Sequence, residues 1–163
     1  MSKSETLSAL LPLFTRYYNV DTENAEPPFV AEAVFSSHNE QYYLIKAAKV
    51  ADINMYEYVY FAECDTLGAD DLRYLDETAW ERGLAKVTPE TGHRSSDVTL
   101  IIVADTIEDD TKKKIRKMRH YKSYKWGMHG WSNYRLVAIE CSSGKAFYNH
   151  QGQSLKKLVS NIL

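Results

Sequence analysis

The chain has 163 residues, 44% of them hydrophobic and 26% charged, which excludes intrinsic disorder and suits a single domain over 1–163. Its longest apolar run, 98–104 with one Thr inside it, is too short to span a bilayer, so no membrane partner is expected. The net charge of −2 hides a division: residues 111–163 hold twelve Lys or Arg and one acid, for +11, and 1–110 carry −13.

In chain order, Leu7, Leu10, Leu11, Phe14, Tyr17 and Tyr18 recur at helical spacing over 4–18, with Ser4 as cap and Pro12 inside the pattern. An acidic loop follows at 19–28, "NVDTENAEPP". Three strands come next, 29–37, 42–50 and 55–63, rich in aromatic and β-branched residues and joined by turns short enough for an antiparallel meander. Leu72, Leu75, Ala79, Trp80 and Leu84 mark a helix over about 69–86. "DVTLIIVAD" (97–105) is the most apolar strand, expected to be central and buried on both faces. A helix over 108–119 leads to strands at 121–128 and 133–140 around a Gly127/Gly130 turn. A short extended piece at 145–149 precedes a C-terminal helix that turns Leu155, Leu158, Val159 and Ile162 inward. The order αβββαβαββα describes an α/β (or α+β) domain, a mixed sheet with helices packed on it.

Two features carry chemistry. The first is the acid-free run at 111–131, "TKKKIRKMRHYKSYKWGMHGW". On its helix Ile107, Thr111, Ile115 and Met118 form the buried stripe, so the bases face water. Lys112, Lys113 and Lys114 follow Glu108, Asp109 and Asp110 at four-residue spacing and are answered locally. Arg116, Lys117, Arg119, Lys122, Lys125 and Arg135 have no acid within four positions. Alternation places Lys122, Tyr124, Trp126 and Met128 on one face, with Trp126 expected in the core. Cations beside aromatics suit phosphate contacts and base stacking, which makes nucleic acid the favoured partner of the 111–135 segment. A solvated helix face explains the same run.

The second feature is one charge inside each of the three early strands: Glu32, Lys46 and Glu57. In a meander Lys46 falls beside both acids, as a structural ion-pair row or as a site holding Mg²⁺ for phosphodiester hydrolysis. An oligomeric scaffold without catalytic activity, joining acidic and basic surfaces in a homo-oligomer, is the third reading. No cofactor motif and no metal-ligand spacing is present, and the five histidines are scattered. The two cysteines, Cys64 and Cys141, form no C-x-x-C, which points to a reducing, cytoplasmic compartment.

The element order αβββαβ over 4–105 resembles the core of the PD-(D/E)xK restriction-endonuclease-like fold. That resemblance implies acids and a lysine on the strands of the hairpin. The third strand here has "EYV" where an acid, any residue and Lys are required, which fits a relative that binds without cleaving. The tail 119–131, "RHYKSYKWGMHGW", resembles an uncharacterised family of small bacterial proteins that share a basic-aromatic segment.

Overall fold

The computed structural model describes residues 1–38 and 54–163. The expected strand at 42–50, and Lys46 within it, lie outside the described residues. Helix α1 (Lys3–Leu10) starts at Ser2 rather than at Ser4: the Ser2 hydroxyl accepts from the Glu5 amide at 3.1 Å, and the Glu5 carboxylate accepts from the Ser2 amide at 2.7 Å. Pro12 ends it, and the chain tightens into a 3₁₀ turn at Leu11–Leu13 because proline brings no amide to continue the ladder. The pattern expected to be helical to residue 18 therefore gives way to a strand, β1 (Tyr18–Asp21).

Strand β1 pairs antiparallel with β2 (Ala31–Ser36), and β2 pairs antiparallel with β3 (Asn54–Leu67). The expected meander is thus corrected. The first and third of the expected strands are direct neighbours, Ala31 through Ser36 pairing with Phe61 through Tyr56. Helix α2 (Ala69–Ala85) carries the chain to β4 (His93–Ile107), parallel to β3. Helix α3 (Asp109–Lys117) leads into β5 (Tyr121–Ser123), and β6 (Trp131–Glu140) then lies parallel to β4. Strand β7 (Lys145–Tyr148), a 3₁₀ turn at Gln151–Leu155 and the short helix α4 (Lys156–Ser160) complete the chain.

The seven strands form one mixed sheet in the order β1-β2-β3-β4-β6-β5, with β7 also paired to β6. Alternation along the central strands feeds two cores. Tyr60, Leu100, Ile102 and Leu136 pack under Leu72 and Leu75 of α2 and Ile115 of α3. Phe61, Ile101, Val103 and Val137 pack against Leu10, Phe14 and Val159 on the other side. Helices therefore cover both faces, and β4 is buried on both, as its unbroken apolar run predicts.

Candidate nucleic-acid interface

The outer edge of β6 is shared. Strand β5 pairs with its first residues, Trp131 to Asn133, and β7 with Val137 to Glu140. The rungs between them are closed by one side chain, Asn149. Its Oδ1 accepts from the Leu136 amide at 2.9 Å and the Gly152 amide at 2.7 Å, while its Nδ2 donates to the Tyr134 and Met118 carbonyls, each at 3.1 Å. Its own amide donates to the Leu136 carbonyl at 3.1 Å. Asn149 is 1% exposed, and Gly152 lets the chain pass so close that a Cβ there would run into the Leu136 carbonyl oxygen.

Two adjoining hollows open where the strands diverge. The larger, of about 390 Å³, is lined by Arg116, Arg119, Phe147, His150, Gln153 and Lys156 among others. The second, of about 250 Å³, shares Arg119, Asn149 and His150 with it and adds His120, Tyr121 and Asn133. Among the described residues no acid lines either hollow. Arg116 is held with its guanidinium 5.9 Å from the centre of the Phe147 ring, so its position follows from packing on β7. The arrangement concentrates uncompensated positive charge in a recess with hydrogen-bonding walls, which favours an anion.

His120 forms the back of the second hollow. Its Nε2 is 2.8 Å from Oδ2 of Asp76, a residue of α2 that is 4% exposed. The ring lies parallel to Trp80 at 5.1 Å and edge-on to Tyr134 at 4.8 Å. The buried Tyr134 hydroxyl stands beside the Asp76 carboxylate, and neither it nor the second Asp76 oxygen makes a well-formed hydrogen bond among the described residues. Burial, and then the Asp76 charge, hold the Tyr134 phenol well above its ordinary pKa.

The bases expected to act together are only partly assembled. Arg116 and Arg119 share the larger hollow. Lys117 lies in a separate hollow of about 300 Å³ with Lys114, Arg73 and Asp70. Lys122 sits over the Tyr124 ring at 5.5 Å, and Lys125 stands in the turn beyond β5. Arg135 is not a free base: its Nη1 is 3.1 Å from Glu57 and its Nη2 3.0 Å from Asp97. Those acids stand on β3 and β4, so a search of neighbouring sequence positions could not find them. Burial raises the Asp97 pKa despite the Arg135 charge beside it, and burial with the Glu57 charge raises that of Tyr18, whose hydroxyl donates to Glu57. Lys112 and Lys113 find Asp109 and Asp110 at three-residue rather than four-residue spacing, and Lys112 also reaches Glu140 at 3.0 Å.

The strand expected over 121–128 stops at Ser123, and Trp126, expected in the core, is 98% exposed. Lys125 and Trp126 adopt left-handed φ values of 46° and 52°, and Gly127 and Gly130 follow at 86° and 82°. These torsions lift the chain out of the sheet. The turn is nevertheless fixed: the Tyr124 amide donates to the Gly130 carbonyl at 2.9 Å, and His93 Nδ1 bonds the His129 carbonyl at 2.5 Å.

Glu32 and Glu57 do not form a cross-strand row. Glu32 is paired with Tyr60 and Glu57 with Phe35, positions of opposite parity, so the two carboxylates project from opposite faces. Glu32 meets Lys86 at 3.6 Å, and Glu57 accepts from Thr99 at 2.7 Å. Among the described residues no three His, Cys, Asp or Glu converge as a metal-holding group. His150, Lys156 and the pairing of Asp76 with His120 escaped sequence reading because they meet only when β7 folds back on β6 and α2 packs on the sheet.

A family model described as "Domain of unknown function (DUF8052)" matches residues 2–161, nearly the whole chain, which therefore belongs to that family. No curated protein and no solved structure matches. Among the described residues no helix is long and apolar enough to cross a membrane.

Proposed function

We propose that this member of the DUF8052 family binds single-stranded nucleic acid along the divided edge of its sheet. The observation that carries the reading is the pair of adjoining hollows lined by Arg116, Arg119, Lys156 and His150, with no acid of the described residues among their walls. Backbone phosphates would lie over these cations. Bases would stack on Tyr121 at the mouth of the groove and on Trp126 at the turn, both exposed. Free cysteines fit a cytoplasmic setting for this role.

The test is titration with single-stranded oligonucleotides, read by quenching of tryptophan fluorescence. Quenching is expected from the exposed Trp126, and log K should fall with log salt by about 0.7 per phosphate contact. Arg116→Ala and Arg119→Ala should each flatten that slope by about 0.7. Trp126→Ala should remove most of the quenching and weaken binding by about 1–3 kcal/mol. Absence of binding to any single strand at low salt would overturn the proposal.

A further inference from the structure

We infer that the second hollow is a metal-independent ribonuclease site in which His120 and His150 are the catalytic acid–base pair, acting on a single-stranded RNA held as proposed above. The inference rests on that binding reading and goes past it to a reaction. Its basis is the Asp76–His120 pair. A carboxylate this deeply buried is costly to place under α2 unless it is bound, and here it is bound to one ring nitrogen of a histidine that lines a cationic hollow. With Asp76 on Nε2, the ring is fixed in orientation and tautomer, and Nδ1 is the nitrogen left to accept a proton. Nδ1 has no hydrogen-bond partner among the described residues, and the His120 side chain keeps 28% of its surface exposed. Trp80 and Tyr134 clamp the ring against tilting. A purely structural tether between α2 and the start of β5 would account for the hydrogen bond. It would not account for a second histidine and an arginine in the same recess.

The reaction balances within these groups. His120 Nδ1 takes the proton of a ribose 2′-hydroxyl, and the 2′-oxygen forms a bond to the adjacent phosphorus. The bond from phosphorus to the 5′-oxygen breaks, and His150 as imidazolium gives its proton to that leaving oxygen. Arg119, shared by the two hollows, neutralises the charge that gathers on the phosphoryl oxygens. The products are a 2′,3′-cyclic phosphate and a 5′-hydroxyl end, with no oxidant or metal in the balance. Water returns the two histidines to their starting protonation.

The experiment compares three single strands of one sequence, RNA, DNA and 2′-O-methyl RNA, in the presence of EDTA. Each is followed for binding by Trp126 quenching and for chain cleavage by gel. All three should bind, and only RNA should be cut, leaving a cyclic phosphate. The rate should be bell-shaped in pH, since one imidazole must be neutral and the other protonated. His120→Ala should lower the rate by about 100-fold or more and erase the acid limb of the bell. His150→Ala, at an exposed position, should erase the alkaline limb and slow cleavage of bound RNA well beyond any weakening of binding read by quenching. Asp76→Asn should slow cleavage through His120 without moving the salt slope. RNA that binds and stays intact overturns this inference and leaves the binding reading standing. Failure of all three strands to bind overturns both. Cleavage that survives in both histidine variants also overturns it.

Discussion

Removing the Arg135 guanidinium would leave Glu57 and Asp97 facing each other in a nearly dry part of the sheet, with only neutral donors from Thr99, Tyr18 and Asn133. Arg135→Ala is therefore expected to destabilise the fold by about 3–5 kcal/mol in urea titration. Arg135→Lys should recover only part of that, because a single ammonium cannot serve both carboxylates as the two Nη atoms do. Neither change should alter the salt slope of binding, since Arg135 lies outside the groove. Glu140 makes a different case. Burial raises its pKa, but the Ser143 hydroxyl, the Ile107 amide and Lys112 outweigh burial and hold it below the ordinary 4.5. A depressed carboxylate binds its proton more weakly folded than unfolded, so its contribution is complete at neutral pH and is lost as pH falls below 4.5 through the folded value. Glu140→Gln should cost about 1–3 kcal/mol at pH 7, and the gap from the parent should close progressively in acid. A gap that is constant from pH 7 to pH 3 would contradict the assignment.

At the scale of elements, Asn149 does the work of a missing strand segment. Asn149→Ala would strand the Leu136 amide and the Tyr134 carbonyl together, and a loss of about 2–4 kcal/mol is expected by thermal or urea unfolding. Nucleic-acid binding should weaken with it, because His150 and Gln153 follow directly in the chain. Little of this was legible beforehand. The stripe of α3 could be read, because Thr111, Ile115 and Met118 repeat at a period that only a helix rewards with burial. Strand β4 could be read because an unbroken apolar run has no wet face to turn outward. The start of the chain could not be read beyond Pro12, since Tyr17 and Tyr18 suit a helix face and an edge strand equally well. The turn after Ser123 was hidden for another reason: Tyr124, Trp126 and Met128 keep strand alternation, and nothing in a Lys or Trp announces a positive φ. Of the proposed groove, Arg116 and Arg119 were visible as bases without local acids. Lys156 and His150 were not, because their place depends on β7 returning along β6.

For the whole molecule, the sheet order separates the charges seen along the sequence. Strand β1 and the acids Asp21, Glu23 and Glu26 lie at one edge, and β5, β7 and the end of α3 lie at the other. Of the ion pairs among the described residues, those that join the basic third of the chain to acids of the first two thirds are the local pairs of Lys112 and Lys113 with Asp109 and Asp110 on α3, and those of Arg135 and His120. A chain of net charge −2 is therefore expected to be retained at pH 7 and low salt on a sulfonate resin, through its basic edge alone. Arg116→Ala with Arg119→Ala should elute distinctly earlier. Head-to-tail association of the two edges would instead show as larger species in sedimentation at low salt that vanish as salt is added. The divided edge of β6 has one more consequence. A long unpaired edge invites another chain to add a strand, the usual first step toward aggregation. Here the outermost strands are only three and four residues long, and a buried amide closes the rungs between them. An incoming β-strand finds no run of free amides to copy, while the recess beside that amide stays open to a guest that brings no backbone ladder of its own.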